Sequence, residues 1–285
     1  MAEELVYARM LEWLAEDIPF WDVTSELMPE ECECDAVVVA KREGVAACTE
    51  EVAYFLRKLG FRVSVVKRSG EAFERGDRLL EVSGNMKRLL QVERLILNLL
   101  AHACGVATAT REAVSKARRV NPRVVVAATR KTMPGLRYFE KKAVAVAGGD
   151  THRLSLSDMI LVKDNHLKYF GSVSRALKAA KKAAGFSRKV EVEVSSPSEA
   201  VEAARMGADI VMLDNFTVED VKAAIRMLER EGLRSKVVVE VSGGVTLDNI
   251  EEYARAGPDV ISMGCLTHSA RAIDMSLEVV EVRRE

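Results

Sequence analysis

Apolar and polar positions follow two regimes along this chain, and the change falls near residue 105. Before it the signals are mixed. Residues 5–15 and 50–59 repeat apolar side chains at helical spacing, residues 35–40 (DAVVVA) form a β-branched run, and residues 61–67 alternate with period two. Residues 76–83 (GDRLLEVS) read as another strand, and residues 87–101 as a long apolar helix with Glu93 and Arg94 embedded in it. Such a mixture predicts a small α+β domain over residues 1–105.

After residue 105 a regular alternation sets in. Short β-branched runs stand at 124–129 (VVVAAT), 144–149 (VAVAGG), 159–164 (MILVKD), 190–195 (VEVEVS), 210–215 (IVMLDN), 237–242 (VVVEVS) and 260–265 (VISMGC). Amphipathic helical segments at 173–184, 198–206, 218–231 and 247–256 separate the later ones. Continuous apolar strands with helices between them imply a parallel sheet covered by helices. The count, about seven units, predicts an α/β fold with a (β/α) barrel, short of the usual eight units, over residues 106–269 rather than an open doubly wound sheet.

The strand ends narrow the chemistry. Each run exits into polar or glycine residues: Arg130 and Lys131, Asp150, Lys163 and Asp164, Ser195, Asp214 and Asn215, Ser242 to Gly244, Gly264. In a (β/α) barrel this face carries the active site. Ser242, Gly243 and Gly244, with Thr246 opening a helix, suit a phosphate site of backbone N–H groups, as does Gly264 with Thr267 and His268. The same glycines would also serve as plain tight turns. Arg130, Lys131, Arg137, His152, Arg153 and Lys163 follow buried strands rather than helix faces, so they can converge on one mouth and hold a substrate with several anionic groups. Glu193 shares a strand face with Glu191 on period-two alternation, and Asp214 closes the next strand. Such a pair can hold ribose hydroxyls or a magnesium ion, or can simply bridge to the basic cluster.

Composition removes other classes. The net charge of −1 gives no global reason for a nucleic-acid partner. No uninterrupted apolar run approaches the roughly 20 residues of a membrane span. The N-terminal residues are acidic where a secretory signal is basic, and the five cysteines show no metal-ligand spacing, so a reduced, cytoplasmic protein is expected.

The strings ATRKTMPGLR, EKKAVAVAGGDTHR, LVKDNH, EVEVSS, VMLDNF, EVSGGV and MGCLTHSA, together with DVTSELMP, REGVAA and QVERLILNLL leading into CGVAT, resemble the quinolinate phosphoribosyltransferases nearly end to end. The resemblance implies a small N-terminal α/β sandwich domain joined to an open (β/α) barrel of about seven parallel strands, with the C-terminal helix, residues 270–285, returning to the N-terminal domain. It implies transfer of a phosphoribosyl group from phosphoribosyl pyrophosphate to quinolinate with loss of carbon dioxide, giving nicotinate mononucleotide for NAD biosynthesis. It further implies a homodimer, or a hexamer built from dimers, with active sites between one subunit's barrel and the other's N-terminal domain.

Residue by residue, the resemblance puts the quinolinate carboxylates against Arg130, Lys131, His152, Arg153 and Lys163, with Arg94 joining from the neighbouring subunit. It puts the ribose hydroxyls and a magnesium ion at Glu193 and Asp214. The 5-phosphate falls to Ser242, Gly243, Gly244, Gly264 and His268. Lys131, Lys163, Glu193 and Asp214 are the expected catalytic set. Asp150, Cys104 and Arg271 depart from the family pattern, which often has glycine, serine and proline there. The other class open to such a barrel is a Schiff-base aldolase with Lys163 as nucleophile.

Overall fold

The computed structural model describes residues 2–283. The chain divides into two compact units, residues 1–109 with 270–285, and residues 110–269. The first unit thus takes in residues 106–109 and the C-terminal segment.

The first unit holds α1 (Ala2–Asp17), β1 (Glu33–Ala40), β2 (Gly44–Val45), α2 (Thr49–Lys58), β3 (Arg62–Val65), β4 (Ala72–Phe73), β5 (Arg78–Asn85) and most of α3 (Met86–Val120). An antiparallel sheet runs in the order C-terminal strand, β1, β5, β3. Alternation along β1 buries Cys34, Ala36 and Val38. Helix α2 packs on β3 and β5 and covers that side with Phe55 and Leu56. Helix α3 is long and apolar enough to span a membrane by composition alone. Its Ile96, Leu100, Ala103 and Cys104 are nevertheless buried in the protein, and at Gly105 a side chain would strike the carbonyl of Arg271.

Two expectations change here. The C-terminal helix is a strand, Met275–Arg283, paired antiparallel to β1 with Leu277 opposite Val38 and Val279 opposite Ala36. Residues 275–283 (MSLEVVEVR) carry β-branched valines that suit a pleated edge. Residues 284–285 of the expected helix lie outside the described residues. The long apolar helix also runs nineteen residues past its expected end at 101.

The second unit holds β6 (Val125–Ala127), α4 (Arg137–Val146), β7 (Ile160–Val162), α5 (Asp164–Phe170), α6 (Val173–Ala184), β8 (Val190–Val194), α7 (Pro197–Arg205), β9 (Ile210–Asp214), α8 (Val218–Arg230), β10 (Val238–Ser242), α9 (Ile250–Arg255), β11 (Val260–Ser262) and α10 (Cys265–His268). All six strands are parallel, in the order β6-β11-β10-β9-β8-β7. That cyclic order, with β6 beside β11 and no ladder between β6 and β7, is an open barrel. The expected strand at 144–149 is instead the end of α4 and the turn that follows it. Buried Phe139, Ala143 and Ala147 recur every four residues, so the alanine-rich VAVA run belongs to a helical face. Its place at the open edge is taken by a single bridge between Asp150 and Ala127.

Local chemistry fixes where the helices start. Ser172, Ser196 and Thr217 each accept a hydrogen bond from the backbone N–H three residues on, capping α6, α7 and α8. Pro197 sits at the first helical position, where its missing N–H costs nothing. These caps end the loops that follow each strand and leave the strand-end side chains on one mouth.

Candidate active site

Period-two alternation selects what faces into the barrel. Along β10 it turns Val238, Glu240 and Ser242 inward and leaves Val239 and Val241 buried on the opposite side, toward the helices. The parallel register sets Glu193 beside Met212, Met212 beside Glu240, and Asp214 beside Ser242. At the C-terminal ends these side chains line a cavity of about 450 Å³ with Arg130, Lys131, His152, Arg153, Lys163, Asn215, Gly243 and Ser262.

The cations occupy one wall. Arg153 is only 8% exposed and Arg130 is half-buried, with its Nε shielded from solvent and lacking a hydrogen-bond partner. Burial holds the Arg153 guanidinium below its usual range, and the charge of Arg130 adds to this; Glu191 and Glu193 work against it. A pocket that desolvates guanidinium groups is electrostatically prepared for an anion. Lys163 Nζ lies 2.6 Å from Glu193 Oε1. That pairing is the opposite of the isolated, desolvated amine required of a Schiff-base nucleophile. Arg137 does not line the cavity; it donates to Thr132 Oγ1 (3.1 Å) and to the Leu154 carbonyl (3.2 Å), bracing two loops.

His152 sits differently from the other basic residues. Its backbone is left-handed, with φ at 51°. Nδ1 accepts from the Arg153 backbone N–H at 2.8 Å, and Nε2 faces Glu240 at 3.2 Å and Glu191 at 3.5 Å. Both ring nitrogens are thus engaged inside the protein. Burial opposes charge on the imidazole, and the two facing carboxylates favour it. An imidazolium would aim a second N–H at the Arg153 amide. The geometry therefore keeps the ring's proton on Nε2, and burial raises the proton affinity of Glu191 beside it.

At the opposite wall, Asp214 accepts from Asn215 Nδ2 at 2.8 Å, and Asn215 itself is left-handed. Gly243 and Gly244 follow with φ of 90° and 65°. A side chain at Gly243 would strike Asn215 Oδ1, so glycine is required by both space and torsion. Gly264 and His268 stand just outside the cavity lining. A side chain at Gly264 would come within 2.9 Å of Lys131 Cδ and 3.1 Å of His268 Nε2, which places this glycine turn beside the lysine. Gly244 is exposed on the turn. Arg94 is exposed on α3 in the first unit and is no part of this cavity.

Two family models cover nearly the whole chain. Residues 22–104 match the quinolinate phosphoribosyl transferase N-terminal domain and residues 106–278 the C-terminal domain of the same family. The chain belongs to the quinolinate phosphoribosyl transferase family. It is 48% identical over 264 residues to a probable nicotinate-nucleotide pyrophosphorylase [carboxylating] of Archaeoglobus fulgidus, covering 93% of this chain and 100% of that one. It is 41% identical over 267 residues to the Homo sapiens nicotinate-nucleotide pyrophosphorylase [carboxylating], covering 94% and 89%. The solved structure of the Francisella tularensis nicotinate-nucleotide pyrophosphorylase superposes with a TM-score of 0.89 at 34% identity, over 97% of this chain and 96% of that one.

In this family member, sequence reasoning passed over Glu240 and Ser262 and gave Asn215 no role beyond a polar strand exit, although all three line the cavity. Glu240 was accessible to the alternation argument used for Glu191 and Glu193, since VVVEVS puts it in phase with Ser242. Asn215 carried no periodic signal, because its part depends on a left-handed backbone.

Proposed function

We infer that this chain transfers the phosphoribosyl group of phosphoribosyl pyrophosphate to the ring nitrogen of quinolinate and releases the 2-carboxyl group as carbon dioxide. The product is nicotinate mononucleotide, a precursor of NAD. The observation that carries the reading is one cavity in which Arg130, Lys131, Arg153 and Lys163 face Glu193, Asp214 and the Gly243 turn. A dicarboxylate needs the first group and a ribose 5-phosphate the second. The names of the curated relatives support the same reaction.

The buried guanidinium of Arg153 and the charge of Arg130 hold the two carboxylates of the pyridine, positioning its nitrogen for attack. The nitrogen bonds to C1 of the ribose as the C1–O bond to pyrophosphate breaks. Positive charge gathers at C1 during the transfer, and Glu193 and Asp214 stabilise it electrostatically. The ring, now a cation, accepts the electron pair left when the bond to the 2-carboxylate breaks. Carbon dioxide departs, and C2 takes a proton from water. The 5-phosphate rests against the Gly243 and Gly244 turn with Ser242, extended by Gly264 and His268.

Glu193 and Asp214 offer hard oxygen donors on adjacent strands, a set that fits magnesium shared with a substrate phosphate. They would hold that ion, which would supply charge neutralisation for the pyrophosphate.

A second copy of the chain completes the site in this reading. Arg94, exposed on α3, would serve another subunit's cavity in a homodimer or in a hexamer built as a trimer of dimers. The five cysteines are free thiols, four of them buried, in keeping with the reducing cytoplasm.

The test is product formation from a substrate panel. With quinolinate, phosphoribosyl pyrophosphate and magnesium, nicotinate mononucleotide accumulates; with nicotinate in place of quinolinate, no nucleotide forms. Turnover of nicotinate but not quinolinate contradicts the reading.

A further inference from the structure

His152 is tied on every side by groups of the protein itself. Its backbone N–H donates to Asp150 Oδ1 at 2.6 Å, and its carbonyl accepts from Thr151 Oγ1 at 3.0 Å. The buried ammonium of Lys141 donates to the Thr151 carbonyl from behind. The ring completes the lock. Nδ1 holds the Arg153 amide, and Nε2 reaches the buried Glu240 and Glu191 across the barrel. Glu240 is 1% exposed and Glu191 is fully buried. Buried carboxylates of this kind are costly unless something in the fold uses them.

We propose that Glu240 and Glu191 are positioning residues that act through the His152 ring to fix the backbone of Arg153, and with it the guanidinium that binds the pyridine carboxylates. The proposal rests on the quinolinate reading of the cavity. His152 thereby belongs to the support of the pocket rather than to its anion-binding surface. Each part of the argument is geometric. An acceptor at Nδ1 requires the proton on Nε2, and an Nε2–H requires an acceptor, which Glu240 Oε2 provides. The left-handed conformation at His152 turns the chain so that Arg153 points into the cavity. A residue with a Cβ adopts that conformation only when its surroundings hold it. The three groups also stand at metal-ligand spacing, with one donor atom each within 4.8 Å of the others. A proton on Nε2 leaves no lone pair there, so the Arg153 amide at Nδ1 selects the hydrogen-bonded arrangement over a metal site.

The test uses the full-length enzyme. Glu240→Leu raises KM for quinolinate at least about tenfold and leaves KM for phosphoribosyl pyrophosphate within about twofold, because only the cation wall loses its support. Glu240→Gln stays within about threefold of the wild type, since an amide oxygen still accepts from Nε2–H. Equal loss in the Leu and Gln variants, or equal change in both KM values, overturns the proposal. Nitrogen-15 spectra of histidine-labelled wild-type protein at neutral pH give a readout independent of turnover. They show His152 with a protonated Nε2 and a bare Nδ1. A ring protonated at both nitrogens, or at Nδ1 alone, overturns the proposal even if a variant fails to fold. Wild-type protein inactive on quinolinate would strike the functional reading instead, and the tautomer would still decide the geometry.

Discussion

Lys163 Nζ meets Glu193 Oε1 at 2.6 Å across the adjacent strands β7 and β8, and the two partners are unequally buried. The lysine side chain is 44% exposed, whereas that of the glutamate is 11% exposed. The pair joins the cation wall to the carboxylates expected at the ribose, so the two halves of the site are not independent. Its asymmetry also decides which partner is costlier to remove. A lysine stripped of its partner can hydrate, but a buried carboxylate stripped of its partner cannot.

Lys163→Ala accordingly loses on the order of 2–5 kcal/mol of transition-state stabilisation, which is roughly 30-fold to several thousand-fold in kcat/KM. The melting temperature falls as well, because Glu193 is left buried without its partner. Steady-state kinetics beside a thermal melt check this. Near-normal kcat/KM would show that the pair is a surface ornament.

Arg153→Ala abolishes measurable turnover without unfolding the protein. Arg153→Lys recovers only a small part, since an ammonium keeps the charge but not the two-pronged hydrogen bonding of a guanidinium. Quinolinate binding measured by calorimetry separates the cases. Full affinity in the alanine variant would place the carboxylate pocket elsewhere.

Gly243→Ala forces a Cβ onto Asn215 Oδ1 at a residue whose φ is 90°. The expected cost is about 1–3 kcal/mol of stability. KM for phosphoribosyl pyrophosphate rises more than KM for quinolinate. A variant with both KM values unchanged would remove the turn from the phosphate site.

Most of this site was legible because barrel strands announce themselves twice, as apolar runs and as polar exits. Ranges 173–184 and 190–194 are bounded by glycine, serine and basic residues, and α6 and β8 fall there. What stayed hidden depended on tertiary context. VAVAGG looks like a strand until Phe139 and Glu140, earlier in the same helix, are seen to be buried. The C-terminal residues look helical only while β1 is not known to offer an open edge. His152 presents as one more cation in a basic cluster. Its engagement with Glu240 and Glu191 joins residues 39 and 88 positions away, and no local pattern encodes that.

Lys141 gives a stability profile with a definite sign. Burial, with the charge of Arg137 second, lowers its pKa from the ordinary 10.5 to about 8. The folded protein therefore releases this proton between pH 8 and 10.5, where the unfolded chain still holds it. Stability gained from this residue rises with pH across that window and is flat below it. Denaturant midpoints of the wild type and Lys141→Met, measured at pH 7.5, 9 and 10, check the difference. The wild type gains on the variant as pH rises; a constant difference would contradict the assignment.

The central claim is that one cavity both joins the pyridine nitrogen to ribose and expels the adjacent carboxylate. The direct measurement supplies quinolinate carrying carbon-13 in the 2-carboxyl or in the 3-carboxyl group, with phosphoribosyl pyrophosphate and magnesium, and follows nucleotide and labelled carbon dioxide together. The account predicts one labelled carbon dioxide per nicotinate mononucleotide from the 2-carboxyl label and none from the 3-carboxyl label. Nucleotide that retains both carboxyl groups, or carbon dioxide released from the 3-position, would contradict it.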